Sequence, residues 1–213
     1  MSFDLEKLKQ SVIDGNAAGA LDLTRQALEE RVPLELVLNG GLIAAMSEVG
    51  KQFEAGIFYI PEMLIAARAM QACMAILKPL LSVADTRPLA TVVIGTVKGD
   101  MHDIGKNLVR MMLAGAGFDV VDLGTDVTPE KFVLAIHEHG AKLVGLSALL
   151  TTTMISMGGI IKAIEQAGLR DQVKIMVGGA PITEDYARKI GADGYASDAS
   201  RAVAVAKSLI IAL

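Results

Sequence analysis

The segment Gly95–Gly105 (GTVKGDMHDIG) combines residue types that could hold a metal ion. It follows an apolar, strand-like run at 89–94 and leads into a helix-like run at 104–112, which puts Asp100 and His102 on a loop after a strand. In open α/β sheets, ligands bind at the carboxyl ends of the strands. A histidine with a carboxylate close enough to orient it has what a metal ligand requires. The loop therefore predicts a ligand site, whose kind it leaves open by itself.

Two further stretches place small or hydroxyl residues where an apolar run ends. The run at 143–146 is followed by the hydroxyl-rich stretch Ser147–Thr153, and the run at 173–177 by Gly178-Gly179. Paired glycines at a strand end let the backbone approach a ligand closely. Because such loops gather at one edge of a parallel sheet, we expect a long pocket with His102 at its mouth.

The N-terminal region, up to about residue 85, predicts helices only. Prolines at first-turn positions and short polar breaks place these helices at Asp4–Ile13, Asn16–Glu29, Pro33–Phe53 and Pro61–Leu81. Four such helices with short connections predict a small bundle. Gly40-Gly41 lies inside the third helix, where glycine is unfavourable unless another helix packs closely.

The pattern changes after Ser82–Pro88, a polar stretch that predicts a linker between domains 1–87 and 88–213. Strands are expected at Thr91–Ile94, Phe118–Val121, Leu143–Leu146, Val173–Val177 and Gly194–Ala196. Helices are expected between and after them, at Ile104–Ala114, Pro129–Glu138, Thr153–Ala167, Glu184–Ile190 and Ala199–Ile211. This alternation predicts a parallel sheet covered on both faces. Five such units fit a flavodoxin-like, Rossmann-like doubly wound domain.

Composition narrows the possible partners of the chain. Its 213 residues carry a formal net charge of -4 and no Trp, which disfavours nucleic-acid binding. Cys73 is the only cysteine, so an internal disulfide is excluded and a reducing cytoplasm fits. The N-terminus lacks an apolar signal core, and charged or polar residues are expected to interrupt every apolar run before membrane-spanning length.

Three of these motifs together resemble a known family. Gly99–Gly105, Ser147–Leu149 and Gly178-Gly179 resemble the three signatures of the cobalamin-binding domain of methionine synthase and its relatives. The helical N-terminal region resembles the cap that precedes that domain, and Phe53–Met63 resembles the cap segment over the corrin. The resemblance covers nearly the whole chain. A cap followed by a cobalamin domain is the layout of the small corrinoid proteins of methyltransferase systems.

The resemblance implies a role for each matching residue. His102 is the expected lower axial ligand of cobalt, in place of the cofactor's own benzimidazole. Asp100 matches a carboxylate that accepts from the other ring nitrogen, and Thr153 matches a hydroxyl that hydrogen-bonds that carboxylate. The other residues implied in cofactor binding are Gly99, Met101, Asp103, Gly105, Ser147, Leu149, Thr151, Gly178, Gly179 and Ala199. In the cap, Phe53, Ile60 and Met63 match apolar residues that shield the methyl group.

The implied function is that of a methyl carrier, which is a component of an enzyme system and not a complete enzyme. A substrate-specific methyltransferase for methanol, a methylamine, betaine or a similar donor would methylate the Co(I) form of a cobalamin or related corrinoid. A second methyltransferase would take the methyl group from methyl-Co(III) to tetrahydrofolate or a thiol. A reductive activase is the third expected partner, and Ser82–Pro88 is the expected hinge of a movable cap.

Other interpretations stay open at this point. The same two domains occur in cobalamin-sensing regulators, which add a DNA-binding domain that this sequence does not show. The Asp-x-His-x-x-Gly motif also occurs in the cobalamin subunits of carbon-skeleton mutases. His137 and His139 could suggest a metal pair, but their spacing points them to different faces of a helix, and we interpret them as surface residues.

Overall fold

The computed structural model describes residues 3–81 and 88–211. It divides into two compact units: Met1–Arg87 with Gly115–Gly117, and Pro88–Ala114 with Phe118–Leu213. The predicted linker lies outside the described residues, apart from Pro88. The expected fold class, a helical region followed by a five-stranded parallel sheet with helices, is confirmed.

The first unit consists of helices. Asp4 and Asn16 begin the first two of them, because each side chain accepts a hydrogen bond from a backbone N–H three residues later, at 3.2 and 3.0 Å. In the bundle, α4 packs against α1, α2 and α3. The helices are α1 (Leu5–Ile13), α2 (Ala17–Glu29), a π-helix (Leu36–Ile43), α3 (Ala44–Glu54) and α4 (Ile60–Leu81).

The prediction of one α-helix over Pro33–Phe53 is wrong in its first half. Leu36–Ile43 is a π-helix, with a wider hydrogen-bond spacing, and α3 continues from Ala44. A Cβ added at Gly41 would lie 2.8 Å from a methyl carbon of Leu8, so the chain needs glycine there to let α1 approach. The expectation that this glycine pair marks close helix packing is therefore confirmed for Gly41.

One helix departs from the expectation about apolar runs. By length and composition alone, the stretch Ile60–Leu77 of α4 is long and apolar enough to cross a membrane. Core helices of bundles pass the same test, and α4 has fully buried side chains such as Met63 and Leu77. The sequence argument missed this stretch because two charged side chains, Glu62 and Arg68, do not offset its many Ala, Met, Leu and Ile residues.

The second unit is built on a five-stranded parallel sheet in the order β2-β1-β3-β4-β5. This is the flavodoxin-like order, which reverses direction between β1 and β3. The strands are β1 (Thr91–Thr96), β2 (Asp119–Asp122), β3 (Leu143–Ser147), β4 (Lys174–Gly178) and β5 (Gly194–Ala196). Their register places Thr96 beside Ser147 and Ser147 beside Gly178. The last residues of the three central strands therefore form one row.

Six α-helices and a short 3-10 helix (Arg170–Gln172) of the described residues belong to this unit. The α-helices are α5 (Ile104–Gly115), α6 (Pro129–His139), α7 (Thr151–Met154), α8 (Ser156–Gln166), α9 (Glu184–Ile190) and α10 (Ala199–Ile211). The predicted helix over Thr153–Ala167 is divided at Ile155 into α7 and α8. Tyr186 of α9 donates from its hydroxyl to the carbonyl of Met154, 2.7 Å away, which satisfies a backbone acceptor at this break.

Candidate functional site

The site begins where β1 ends. The row Thr96–Ser147–Gly178 brings the loop after β1 next to the loops after β3 and β4. The chain leaves β1 through Val97 and reaches α5 at Ile104, so Asp100 and His102 lie between a strand end and a helix start. The predicted position of both residues at the carboxyl edge of the sheet is confirmed.

Asp100 is the centre of a hydrogen-bond network and has no exposed surface. One carboxylate oxygen accepts from the backbone N–H of His102 at 3.0 Å and lies 2.8 Å from its ring nitrogen Nδ1. The other accepts from the backbone N–H of Leu149 at 2.8 Å and from the hydroxyl of Thr153 at 2.6 Å. Four donors, from the loop after β1, the loop after β3 and the helix α7, therefore satisfy one buried carboxylate, as a buried charge requires.

The same network decides the charge of Asp100. Burial alone raises the pKa of this carboxyl group, but the hydrogen bonds from Thr153, Leu149 and His102 outweigh it and hold the pKa well below its usual value. Asp100 is thus an ionised, acceptor-only group at neutral pH. Its neighbour Nδ1 of His102 must then carry the proton.

This tautomer leaves the other ring nitrogen of His102 with a free lone pair. The side chain of His102 is 52% exposed, and Nε2 has no hydrogen-bond partner within residues 3–81 and 88–211. A neutral imidazole held through Nδ1 with Nε2 open is the usual arrangement of a histidine ligand to a transition metal. The side chain thus presents one nitrogen donor to whatever binds above the loop.

The glycines of the site have two different roles. A Cβ at Gly179, whose φ is 130°, would lie 1.8 Å from the carbonyl oxygen of Ala148, and one at Gly178 would lie 3.0 Å from that of Ala196. The packing of neighbouring loops therefore requires these glycines, apart from any ligand. At Gly105 an added Cβ would meet no heavy atom within 4 Å, so the start of α5 is open. That Gly178-Gly179 also form the floor of a ligand pocket stays a prediction.

Apolar side chains lie exposed on the loops of the site. Met101 and Leu149, both predicted to bind the cofactor, are 70% and 43% exposed. Sequence reasoning did not single out three more large apolar residues on the same loops and helix ends: Ile104, Leu150 and Ile155. Large apolar side chains that flank a polar donor in this way suit a ligand with a broad, largely apolar face.

The other predicted cofactor-binding residues are placed as follows. Ser147 is half-buried at the end of β3, and Thr151 is exposed at the start of α7. Ala199 is buried at the start of α10. The carboxylate of Asp103, the residue before α5, accepts from the side-chain amide of Asn107 at 2.9 Å.

The three apolar residues predicted to shield the methyl group differ in exposure. Ile60 is half exposed and Phe53 is partly buried, but Met63 has no exposed surface. A contact between Met63 and a ligand would need that side chain to become exposed, so Ile60 and Phe53 are the better placed of the three. Their shielding role stays a prediction.

The histidine pair on α6 shows no sign of a metal site. His137 and His139 are both exposed near the C-terminal end of α6. Among the described residues, no group of three or more His, Cys, Asp and Glu side chains could enclose a metal ion by itself. A metal at His102 would therefore need most of its ligands from a cofactor.

Sequence reasoning missed two side chains that hold the loop of His102. The hydroxyl of Thr96, which is fully buried, donates to the carbonyl of His102 at 2.9 Å. The carboxylate of Asp126 accepts from the N–H of Gly99 at 2.7 Å. Asp126 follows β2 and is separated from this loop by more than twenty positions, so no motif connected them.

Comparisons with known proteins identify a cofactor class. Two family models, both described as a B12 binding domain, match residues 90–204 and 4–78. The chain is 43% identical to trimethylamine corrinoid protein 1 of Methanosarcina acetivorans, over 97% of each chain. It is 44% identical to the dimethylamine corrinoid protein of Methanosarcina barkeri, over 97% of each chain.

A solved structure agrees with these matches. The chain resembles a chain of the methanol:cobalamin methyltransferase complex of Methanosarcina barkeri with a TM-score of 0.87 and 26% identity, covering 98% of this chain and 80% of that one. The donor set fits the cofactor class, because a corrin ring supplies four nitrogen ligands and leaves axial positions for a group such as Nε2 of His102.

Proposed function

The chain belongs to the B12-binding corrinoid proteins of methyltransferase systems, and from this premise we propose that it carries methyl groups from a methylated amine to a second methyltransferase. The corrinoid supplies a cobalt centre that accepts and releases the methyl group. The protein supplies the axial imidazole of His102 and the groups that orient it.

The observation that carries the proposal is the open Nε2 of His102 above a fully satisfied Asp100. A general base would need a proton acceptor aimed at a substrate, with further polar groups to bind that substrate. Here three neighbouring residues, Met101, Ile104 and Leu149, expose large apolar side chains, and the exposed charged residue beside His102 is Asp103. This combination supports a large bound cofactor and an axial ligand better than it supports a proton-transfer site.

The role of the protein in transfer follows from the network. Thr153 and Leu149 hold Asp100 ionised, and Asp100 holds the proton of His102 on Nδ1. The imidazole would therefore present the lone pair of Nε2 to a cobalt centre in a fixed orientation. Two backbone and two side-chain donors share Asp100, so the network holds the loop from within the protein.

Substitution of His102 tests the axial-ligand assignment. The His102→Ala variant, loaded with cobinamide (a corrinoid without the benzimidazole) and reduced to the Co(II) form, should lose the nitrogen coupling that an axial imidazole produces in the electron paramagnetic resonance spectrum. The His137→Ala variant removes an exposed histidine of the same domain and should keep it. An unchanged spectrum in His102→Ala would refute the assignment.

The names of the relatives support a methylated amine as the donor. Identity is 43% and 44% to corrinoid proteins named for trimethylamine and dimethylamine, against 26% to the chain of the methanol complex. Methanol and glycine betaine are the alternative donors. The choice depends on the partner methyltransferase that docks on this chain.

A panel of donors tests this part of the proposal. The Co(I)-loaded protein is mixed in turn with methyltransferases for trimethylamine, dimethylamine, methylamine, methanol and glycine betaine, each with its substrate. Methylation of cobalt, followed by absorbance, should be fastest in one of the amine systems. A faster reaction with methanol or betaine would refute the amine assignment and leave the carrier function intact.

The remaining partners are proposed from the chemistry. A second methyltransferase would pass the methyl group to tetrahydrofolate or to a thiol, and addition of each acceptor with its enzyme to the methylated protein would separate them. Occasional oxidation of the reduced cobalt requires a reductive activase. We place the protein in a reducing compartment such as the cytoplasm, which agrees with Cys73 being buried and free.

A further inference from the structure

Asp126 has an unusual backbone conformation for a residue with a side chain. Its φ is 53°, and Arg31 is the only other non-glycine residue with a positive φ in the part of the chain that the structure describes. An L-residue other than glycine pays a steric cost in this region, although Asp and Asn tolerate it better than most. Such a conformation persists where surrounding contacts impose it, and these positions are often functional.

Within the described residues, Asp126 makes two hydrogen bonds to the loop that carries His102. Its carboxylate accepts from the N–H of Gly99 at 2.7 Å, and its own N–H donates to the carbonyl of Asp100 at 3.0 Å. One residue thus binds the backbone on both sides of the Gly99–Asp100 pair. Gly99 also has a positive φ, of 85°, so two left-handed residues face each other in this clamp.

The clamp holds the backbone from which two important side chains extend. Asp100 orients the ring of His102, and the carbonyl of His102 accepts from the buried hydroxyl of Thr96. The stretch from Gly99 to His102 is therefore held at its start by Asp126 and at its end by Thr96. A small displacement of either end would move the imidazole relative to anything bound above it.

We infer that Asp126 is a positioning residue that sets how strongly His102 ligates the cofactor. It acts through the backbone of Gly99 and Asp100, and it lies outside the three motifs that define the cofactor site. Loss of its carboxylate frees the Gly99 end of the loop and makes the ligated position of His102 less favourable. This inference depends on the proposed axial role of His102.

The substitution Asp126→Gly is the sharpest probe of the clamp. Glycine accepts the positive φ and keeps the backbone donor to Asp100, so it removes only the carboxylate and should not prevent folding. Asp126→Asn is the conservative variant, because its side-chain oxygen can still accept from Gly99 and Asn also tolerates the left-handed region. Asp171→Gly provides a matched control at an exposed aspartate of the same domain.

Two measurements on each cobalamin-loaded variant test the inference. Redox titration gives the Co(II)/Co(I) midpoint potential, and electron paramagnetic resonance of the Co(II) form reports the imidazole nitrogen. The loss of one hydrogen bond should lower the ratio of ligated to unligated Co(II) about fivefold in Asp126→Gly. This fivefold change corresponds to a rise of about 40 mV in the midpoint potential of the one-electron couple. Asp126→Asn and Asp171→Gly should stay close to wild type.

Amide exchange supplies a readout that needs no cofactor. In the protein without cobalamin, the N–H of Gly99 should exchange with solvent deuterium faster in Asp126→Gly than in wild type or Asp126→Asn. Faster exchange together with the shift in potential supports the inference.

Each contrary result has a distinct meaning. An unchanged midpoint potential in Asp126→Gly, or an equal shift in Asp171→Gly, overturns the positioning role while the axial role of His102 stands. A shift in Asp126→Asn as large as in Asp126→Gly also overturns it, because the hydrogen bond would then not be the cause. If wild type shows no imidazole nitrogen, the axial assignment fails and this inference fails with it.

Discussion

The two edges of the sheet each contain an aspartate that accepts a backbone N–H, yet only one of these aspartates serves an open site. At the amino edge, Asp193 accepts from the N–H of Ile175 at 2.7 Å and forms an ion pair with Arg170 at 3.0 Å. The guanidinium of Arg170 also donates to the carbonyls of Val173 and Gly191. At the carboxyl edge, Asp100 holds a histidine whose second ring nitrogen has no hydrogen-bond partner among the described residues.

The difference separates structural from functional polar networks. In the Asp193 network, the donors of Arg170 end on carbonyl and carboxylate oxygens of the same fold, so it ties β4 to the turn before β5. The Asp100 network ends in an exposed lone pair. Asp100 is also the more deeply buried of the two aspartates and accepts from four donors, but the open atom at the end of its network is what marks the site.

Glycine substitutions should give the largest contrast between the edges. Gly179→Ala places a Cβ against the carbonyl oxygen of Ala148, whereas an added Cβ at Gly168, before β4, meets no heavy atom within 4 Å. We expect a loss of about 4 kcal/mol in the free energy of unfolding for Gly179→Ala, from the combined clash and backbone strain. Gly168→Ala should lose about 1 kcal/mol, from its positive φ alone.

Urea denaturation of both variants measures this contrast. Equal losses would show that the loops at the carboxyl edge can separate by enough to admit a Cβ. The requirement for glycine at 179 would then come from the ligand and not from loop packing.

Substitution of Asp193 should cause the next largest loss in the free energy of unfolding. Asp193→Ala removes the ion-pair partner of a guanidinium and the acceptor of a backbone N–H, which should lower the free energy of unfolding by about 3 kcal/mol. The exposed Asp171→Ala should change it by less than about 0.5 kcal/mol. In the folded, cobalamin-loaded protein, the imidazole signal of the Co(II) form should be unchanged in Asp193→Ala. A weakened signal would mean that the Asp193 network affects His102, and it would contradict the division into a structural and a functional edge.

Asp122 shows that a polar network at the carboxyl edge can also be structural. What distinguishes a functional network is an open atom at its end, and not its edge of the sheet. It lies at the carboxyl end of β2, but its carboxylate pairs with the buried Lys106 at 2.6 and 2.8 Å. Burial raises the pKa of Asp122, but the hydrogen bonds and charge of Lys106, Gly124 and Arg110 outweigh it and lower the pKa below its usual value. The partners of Asp122 are all groups of the same fold, whereas the neighbouring Asp100 network ends in an exposed ring nitrogen.

Asp122→Asn should therefore cost stability in a pH-dependent way. Because the pKa is lower in the folded protein, ionised Asp122 stabilises the fold above its ordinary value of 3.8, and this contribution disappears as the pH falls through the folded-state value. We expect a loss of about 2 kcal/mol at pH 7 in Asp122→Asn, since Lys106 is left without its carboxylate. Stability curves of variant and wild type should converge below about pH 4. A constant difference over that range would exclude the ionised pair as the cause.

The sequence predicted the strands and helices and the two central residues of the site well. It predicted the residues that hold the loop of the site in place much less well. Apolar runs separated by helical stretches were enough for the sheet, and the spacing of Asp100 and His102 was enough to place both on one loop. The contacts of Asp126 and Thr96 with that loop arise from strand register and backbone conformation, which local patterns do not encode. The π-helix at Leu36–Ile43 has the same apolar character as an α-helix, so periodicity could not distinguish the two.

Thr153 should give the smallest effect and the most specific one. Thr153→Val keeps the shape of the side chain but removes the hydroxyl that donates to Asp100 at 2.6 Å, which should cost about 1 kcal/mol of stability. With one donor fewer, the carboxylate of Asp100 accepts more strongly from His102, and the imidazole becomes a better ligand. The Co(II)/Co(I) midpoint potential should then become more negative, opposite in sign to the shift expected for Asp126→Gly. Thr153→Ser keeps the donor and should match wild type in both measurements. If Thr153→Val lowers stability but leaves the potential unchanged, Asp100 does not transmit the change to His102, and its network would be as closed as that of Asp193.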